Sequence, residues 1–577
     1  MVNFTTPEGD CLDLKPGQDL AINIENPFFA EDHIPVAWST EIELPITPTN
    51  CAVFGCPNAM LLPATKREIN VFMQVNGIRI MEGKMKLSGQ SPDVLKASFC
   101  GVSIEDSLTG NLQDLPLAKW NFGKLEYSHE TKLYDEIMLG AAKGTREDFV
   151  TPLMMRKSEV STTDSFVDAT TVENKKRFAT KYMNHRLGNF LTPVVRLSYL
   201  MRFALSDCSI DEELTSYFGK IGIVASYRTN GSLDDVDTGC LDKDEEGNFI
   251  LDLANAMPDV ALESLVKNIL LLFGASVFIA NGQKRIIGNN AILQSSDFVD
   301  WSEKIHDDIE QEIQESQEYR YGYTEDSADN SKIDESSVIT CQQISDCYKQ
   351  EAGTTVFCID TQDYYEVQKE TIYFGVSKGE TWGRQFTRLL FLRHAIKGDS
   401  PSDNNNDTVS AQSNLVPVES HPKLYPYAIG LLMVTSEPYM VPAIETPEIG
   451  GTRPTTIYFG CIENVDTSDA EITGHVNPVQ LTGNGYYGAF FWMPSITPLY
   501  ISGDIGLAKF HNKYKEWLAK EKPVVKAQVN LTAHDIANLK IWQKIMLYNQ
   551  LFYIKALSIS LNTSTDIITA EAEFIKA

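Results

Sequence analysis

From Arg67 to Val102 apolar residues recur at every second position: Ile69, Val71, Met73 and Val75, then Ile78 and Ile80, then Met85 and Leu87. That alternation belongs to half-buried strands, because successive side chains point to opposite faces of the pleat. Asn76-Gly77 stands between two of the runs. Both residues tolerate positive φ, which the type I′ two-residue hairpin turn requires at both central positions. A segment built this way is committed to tight antiparallel pairing, and one that closes near residue 110 reads as a small barrel or sandwich. The far end carries the same pattern, with alternating strands at Phe552–Leu561 and Ile567–Phe574 joined by Asn562–Asp566. Ahead of them, Thr532 with Asp535 three positions on makes an approximate capping box. Ile536, Leu539, Trp542 and Met546 then predict one helical face.

Between these ends the period changes. Residues 116–195 are less regular, with helices expected around Tyr134–Ala142 and Glu173–Asn184. Pro193–Leu205 reads as an apolar helix and Ile221–Tyr227 as a strand. Leu262, Leu265, Val266, Ile269, Leu272 and Phe273 follow Asp259 at helical spacing, with Gly274 as the stop. A hairpin over Ala275–Ala280 and Lys284–Gly288 completes a compact α/β unit at roughly 195–300. From Asp297 to Glu335, 14 acidic residues stand against three basic ones, the composition of a solvated helix face or linker. Gly398–Ser413 reads as a flexible exposed loop, and the aromatic- and proline-dense stretch Tyr425–Tyr500 as strands and long ordered loops. The chain is therefore α+β and mainly β. It divides into residues 1–115 (a β-domain), 116–195 (a mixed insertion), 196–335 (α/β, ending in the acidic helix or linker), 336–500 (β-rich and loop-rich) and 501–577 (a helix and closing strands).

Charge and cysteine usage narrow the function classes. Over 577 residues, 78 Asp plus Glu against 49 Lys plus Arg give a net charge of −29, which repels phosphate backbones and argues against sequence-specific nucleic-acid binding. Met1–Asp10 has neither a basic start nor an apolar run, so no leader is read there. The longest apolar stretch, Ile269–Ala280, has about half the roughly 20 residues of a membrane helix, and no stable membrane span is expected. Ten cysteines are too sparse for a disulfide scaffold. The close pairs Cys51/Cys56 and Cys341/Cys347 lack zinc-site spacing, so reduced, mostly buried thiols are expected and no metal.

Chemical motifs are few. Gly483-Asn484-Gly485-Tyr486-Tyr487-Gly488 matches the dinucleotide glycine string, but Pro494 and Pro498 block the helix whose N-terminus would hold a pyrophosphate. It reads as a glycine-rich turn. Asp242, Asp244, Glu246 and Gly247 imitate the start of a calcium loop, yet Leu253 stands where the bidentate carboxylate belongs, so an acidic hairpin turn is expected. A lysine phosphate loop, a Gly-x-Ser-x-Gly elbow and a paired-His helix are all missing, and the nine histidines are scattered. No catalytic, cofactor-binding or metal-ligating residue is nominated, and the chain reads as a non-enzyme. A pair of carboxylates that meets only in the fold stays open.

Three stretches, in this order, resemble bacteriophage tail proteins and more broadly the central hub of phage baseplates and related contractile injection systems. The first is Ile34-Pro35-Val36-Ala37-Trp38-Ser39, leading through Leu44-Pro45-Ile46-Thr47-Pro48-Thr49-Asn50 to Val75-Asn76-Gly77-Ile78. The second is Leu265–Gly274 with its hairpin, then Asp300-Trp301-Ser302-Glu303-Lys304-Ile305 and Tyr319-Arg320-Tyr321-Gly322-Tyr323. The third is Gly485-Tyr486-Tyr487, Phe491-Trp492 and Leu551–Leu557 after the closing helix. The resemblance covers about a third of the chain, and the stretch from about 340 to 480 has no counterpart in it.

The resemblance implies two tube-like β-barrel domains, one near residues 1–115 and one completed by the strands of Phe552–Phe574, with an α/β insertion between them. It implies a homotrimer whose ring of six similar barrels adapts the sixfold tail tube to a threefold spike or tip. Its partners would be tail-tube, distal-tail and spike or tip proteins, and its place the virion tail after synthesis in the host bacterial cytoplasm. Genome DNA passing through a carboxylate-lined lumen would be repelled from the wall. Strand-edge pairing and aromatic loops would supply the interfaces, with Phe490, Phe491 and Trp492 as anchors. Two alternatives stand beside the hub. One is another tail-tip component, either a distal tail ring or a receptor- or glycan-binding protein presenting Tyr425, Tyr427 and Tyr439. The other is a tail-carried glycan or peptidoglycan hydrolase, which needs two convergent carboxylates, one of raised pKa.

Overall fold

The computed structural model describes residues 2–30, 34–55, 66–104, 108–115, 147–150, 155–156, 194–205, 208–226, 241–243, 249–251, 256–280, 283–323, 337–359, 363–377, 380–394, 408–423, 439–444, 452–463, 480–481, 485–486, 495–497, 506–562 and 568–577. Thirteen of the described strands share one sheet. Seven come from the beginning of the chain: β1 (Val2–Thr5), β2 (Asp19–Glu25), β3 (Trp38–Ser39), β4 (Ile42–Pro45), β5 (Glu68–Val75), β6 (Ile78–Gln90) and β7 (Val94–Gly101). Two come from the middle, β8 (Phe298–Asp300) and β9 (Ile305–Gln314). Four close the chain: β10 (Lys522–Asn530), β11 (Lys544–Leu547), β12 (Gln550–Asn562) and β13 (Ile568–Lys576). The order is β1-β5-β6-β7-β3-β2-β12-β13-β10-β9, with β4 on β7, β11 on β12 and β8 on β11.

The alternation of the first strands does what the sequence predicts. Val71, Met73 and Val75 are buried on one face of β5, and Val75 pairs with Ile78 across Asn76-Gly77, whose φ angles of 52° and 78° make the two-residue turn. The decisive join lies between the chain's two ends. Strand β2 pairs antiparallel with β12 from Asp19↔Asn562 to Glu25↔Ala556, so the opening and closing strands form one surface. Asn26 locks this seam. Its Nδ2 donates to the carbonyls of Ile541 and Ile554 at 2.9 and 2.6 Å, and its Oδ1 accepts from the Phe28 amide at 3.0 Å. The turn so fixed inserts Phe28 between Tyr514 and Tyr553, at centroid distances of 5.0 and 5.4 Å. The end strands β1 and β9 do not pair, so among the described strands the sheet is open and no barrel closes.

The α/β unit packs against this sheet through a single shared core. Helix Leu262–Leu272 buries Leu265, Val266, Ile269 and Leu272 and ends where the sequence places its stop. Gly274 has φ +50°, and a Cβ there would come within 2.9 Å of the His511 ring, so both conformation and space require glycine. The hairpin Ala275–Ala280/Gln283–Gly288 follows, with Cys208–Ile210 alongside in parallel. Helix Ala508–Leu518 adds the buried Phe510, His511, Tyr514, Trp517 and Leu518.

Four expectations change. The acidic run is not a helix or linker over its described part: it forms β8, β9 and the strand Glu318–Tyr323. Ile305, Ile309 and Ile313 lie four apart, a spacing compatible with one face of either a helix or a strand, and pairing with β10 decides it. Thr408–Ser413 is not loop but a strand beside Glu318–Tyr323, because Val409, Ala411 and Ser413 turn inward between polar neighbours. Val194–Arg196 is a strand between Phe149–Val150 and Ile221–Val224, and the helix begins only at Leu197. β-Branched Val194 and Val195 suit that pairing. Lastly, the capping box of Thr532 and Asp535 forms, but its helix ends at Ala537, where the Asn538 side chain donates to the His534 carbonyl at 2.9 Å. Trp542 lies in a turn and Met546 in β11. The candidate helices Tyr134–Ala142 and Glu173–Asn184 lie outside the described residues.

A smaller unit stands apart in its packing. Ile339–Cys341, Thr355–Cys358, Asp363–Ser377 and Glu380–His394 form a four-stranded sheet with its own core.

Candidate assembly edge

Strand β9 ends the path of the large sheet. One side pairs with β10, from Ile305↔Val529 to Gln314↔Lys522 with a bulge between Ile305 and Ile309, and no described strand lies on the other. Ile305 tucks into the core, whereas Ile309 is exposed and Ile313 is 72% exposed. An open edge carrying apolar side chains is a template for another strand. Its charge selects the partner. Asp308, Glu310 and Glu312 are exposed along it, and pairing two copies of β9 antiparallel would set these carboxylates against each other, a destabilising arrangement. Lys526 answers Glu312 within the chain at 2.9 Å to both oxygens, and that hydrogen bond raises the Lys526 pKa.

The neighbouring elements extend this surface. Edge strand β8 runs parallel to β11 and exposes Phe298 and Val299. Strand β11 turns into β12 through Tyr548-Asn549, with φ angles of 46° and 65°. A tyrosine in the left-handed region costs about 1–2 kcal/mol, yet Tyr548 is 55% exposed and its ring gains little packing in return. Its amide donates to Ser302 Oγ at 3.0 Å, tying the turn to the loop between β8 and β9.

Behind the sheet lies a buried polar junction. Tyr319, Tyr321 and Tyr323 project from one face of Glu318–Tyr323 into the core. His511 Nε2 is 2.9 Å from the Leu272 carbonyl, which can only accept, so Nε2 carries the proton and Nδ1 accepts from the Tyr319 hydroxyl at 2.8 Å. The Tyr321 ring stacks on the imidazole at 4.4 Å and 11°. Burial lowers the His511 pKa to about 4 and raises that of Tyr319 well above its ordinary value, so the pair stays neutral. The buried Lys522 Nζ donates to the carbonyls of Trp517 and Lys520 at 2.7 and 2.6 Å, closing the end of helix Ala508–Leu518. Burial lowers its pKa to about 8.

The residues singled out in the sequence fall as follows. Leu241–Lys243 and Phe249–Leu251 pair antiparallel, and residues 244–248 between them lie outside the described residues. Gly485–Tyr486 pairs with Gln480–Leu481, and the rest of the glycine-rich stretch, residues 482–484 and 487–488, lies outside the described residues. Tyr439 opens a strand opposite Lys423. Phe490, Phe491, Trp492, Tyr425 and Tyr427 lie outside the described residues. Cys51 is buried in helix Pro48–Phe54, and Cys341 and Cys347 are buried together with Cys358. Glu43, Glu68, Asp300 and Asp346 have lowered pKa values, held by Lys15, Lys84, Ser302 and Lys349 respectively. For Asp535, hydrogen bonds from Lys304 and Thr532 outweigh the burial that would raise it. None of these five carboxyls is raised in the manner of a general acid. Among the described residues, no three His, Cys, Asp or Glu side chains are grouped to hold a metal ion, and no helix is long and apolar enough to cross a membrane. Sequence reasoning missed β9, Tyr548 and His511. Only the isoleucine spacing of β9 offered a signal.

No protein-family model and no curated protein sequence matches the chain. Among solved structures it is similar to the tail protein from Neisseria meningitidis MC58, with a TM-score of 0.30 and 8% identity over 100% of this chain and 96% of that one. It is also similar to the 43 kDa tail protein of prophage MuSo2 from Shewanella oneidensis, with a TM-score of 0.31 and 6% identity over 100% and 98%. Both neighbours are tail proteins, and both TM-scores are too low to establish a shared fold.

Proposed function

We propose that this protein is a structural component of a bacteriophage tail, a non-enzymatic hub that joins the tail tube to the spike or tip by closing into a homotrimeric ring. The observation that carries this reading is the β2–β12 seam, which places the β-rich ends on one sheet around an inserted α/β unit. The resemblance implies β-rich ends around an α/β insertion, and the described strands supply those ends as one open sheet rather than as two closed barrels. Strands β1–β7 and β8–β13 correspond in this reading to the two β-units that each subunit contributes. The acidic edge of β9 disfavours pairing with itself, so the same surface favours a head-to-tail contact, and a head-to-tail contact that closes makes a ring. The partners are then further copies of this chain, tail-tube and distal-tail proteins and the spike or tip, with genome DNA passing through the lumen. Its location is the virion tail.

Native mass spectrometry with negative-stain imaging tests this. A ring near three times the 64.5 kDa subunit mass is the expected result. A six-subunit ring would move the assignment to a distal tail ring. A chain that stays monomeric with tail-tube protein present, and that clears cell wall in a zymogram or binds on a glycan array, would overturn the hub.

Two substitutions probe the edge. Ile313→Asp leaves the exposed monomer within about 0.5 kcal/mol of its stability and is expected to weaken ring formation at least tenfold by analytical ultracentrifugation. An unchanged dissociation constant would remove β9 from the interface. Tyr548→Gly is expected to act with opposite signs: it relieves the turn and stabilises the isolated chain by about 1 kcal/mol, while weakening the ring. Thermal melts and sedimentation on one sample separate the two effects.

A further inference from the structure

The turn Asn76-Gly77 joins β5 to β6, and Val75 pairs with Ile78 on either side of it. With φ of 52° at Asn76 and 78° at Gly77, the turn is type I′. Both residues are exposed, and no heavy atom outside the turn lies within 4 Å of where a Gly77 Cβ would stand. The Asn76 side-chain amide thus stands one residue before a backbone nitrogen that no side chain shields, in a place that water reaches.

We propose that Asn76 is a modification site, where the folded hairpin promotes conversion of the asparagine to aspartate and isoaspartate through a cyclic imide. The Gly77 backbone nitrogen attacks Asn76 Cγ. A Cγ–N bond forms, the Gly77 amide proton passes to solvent base, and Nδ2 leaves as ammonia. Water then opens the ring. Attack at Cγ gives aspartate, and attack at the Asn76 main-chain carbonyl gives isoaspartate, with the chain running through Cβ. One water is consumed and one ammonia released, and nothing is oxidised or reduced.

Backbone geometry couples this reaction to the fold. Ring closure eclipses Asn76 Cβ with the Gly77 nitrogen, so ψ of Asn76 must approach about −120°, the value that the first central residue of a type II′ turn combines with a φ of about +60°. Asn76 already has a φ of 52°. Rotating the one peptide plane between Asn76 and Gly77 converts I′ into II′, and glycine accepts either sign of φ as the plane turns. Both types serve two-residue hairpins, so the Val75–Ile78 pairing holds while the ring closes. A chain without the turn must first bring an L-residue to positive φ, a penalty that slows it about tenfold. Asn70 supplies the contrast within β5. It lies in the paired strand opposite Lys84, and β-branched Val71 crowds the nitrogen that would attack. The proposal does not depend on the tail reading, and either can fail alone.

Trypsin, cutting after Arg67 and Arg79, isolates Glu68–Arg79 with both asparagines on one peptide. The test needs no variant. The full-length protein, the same protein unfolded in guanidinium chloride and the synthetic peptide Glu68–Arg79 are aged side by side at one mildly alkaline pH. Each is sampled over days, digested briefly and mapped by mass spectrometry with electron-transfer fragmentation, which tells isoaspartate from aspartate. In the folded protein Asn76 is expected to convert about tenfold faster than in the peptide or the unfolded chain, with isoaspartate among the products and Asn70 intact. A folded rate equal to or below that of the peptide would overturn the proposal, because the hairpin would then protect Asn76. Equal conversion at Asn70 and Asn76 in the folded protein would overturn it as well.

Discussion

Replacing Asn26 with alanine is expected to lower the stability of the fold by about 4 kcal/mol, read as a fall in the urea midpoint at unchanged m-value. The residue is 1% exposed, and its amide makes three hydrogen bonds, two of them across a sequence separation of more than 500 residues. Alanine leaves two buried carbonyls and one buried amide short of a partner, at about 1–3 kcal/mol each before relaxation. It also loosens the turn that positions Phe28 between Tyr514 and Tyr553. Asn26→Asp should be no better, since a carboxylate supplies no donor for Ile541 and Ile554 and would bury a charge. A loss below about 1 kcal/mol in the alanine variant would mean that water or a shifted backbone satisfies these groups.

The second large effect depends on pH. The His511 imidazole titrates near pH 4 in the fold against an ordinary 6.5, because burial disfavours its charged form. Between those values the unfolded chain holds a proton that the folded chain does not, so stability falls as the pH drops from 6.5 towards 4. The loss is about 1.4 kcal/mol per pH unit and reaches about 3 kcal/mol at the lower end. Glutamine at 511 can donate to Leu272 and accept from Tyr319 without titrating. His511→Gln is therefore expected to fold at neutral pH with a modest loss, and to show a shallower stability–pH slope than wild type by about one proton across that window. Parallel slopes for the two proteins would show that His511 is not held neutral.

The two ends of the chain were legible because local pattern and tertiary context agree there. Asn76-Gly77 demands the hairpin that forms, and the alternation of Phe552–Leu561 fits a strand with a buried face. Helix Leu262–Leu272 was equally open, since its apolar stripe and Gly274 are set by neighbours in sequence. The failures share a different cause. Ile305, Ile309 and Ile313 satisfy two periods at once, and only β10, more than 200 residues away, settles the matter. Thr408–Ser413 looks like a polar loop until Glu318–Tyr323 pairs beside it and its small residues turn inward. The open edge of β9 was hidden for the same reason: whether a strand has a neighbour is a property of the finished sheet. His511 gave no signal either, because a histidine's role is set by what surrounds it, here Leu272, Tyr319 and Tyr321.

The seam between β2 and β12 also governs the order of events at the ribosome. Its partners Asp19 and Asn562 are 543 positions apart, so at about 5–20 residues per second the first β-unit waits roughly half a minute to two minutes for its last neighbour to be synthesised. Throughout that interval the edge of β2 is bare, and pairing over so long a separation is slow to form even once the chain is complete. Asp19 and Glu25, at the two ends of β2, place a negative charge at either limit of that bare edge, where charge hinders premature pairing between nascent chains.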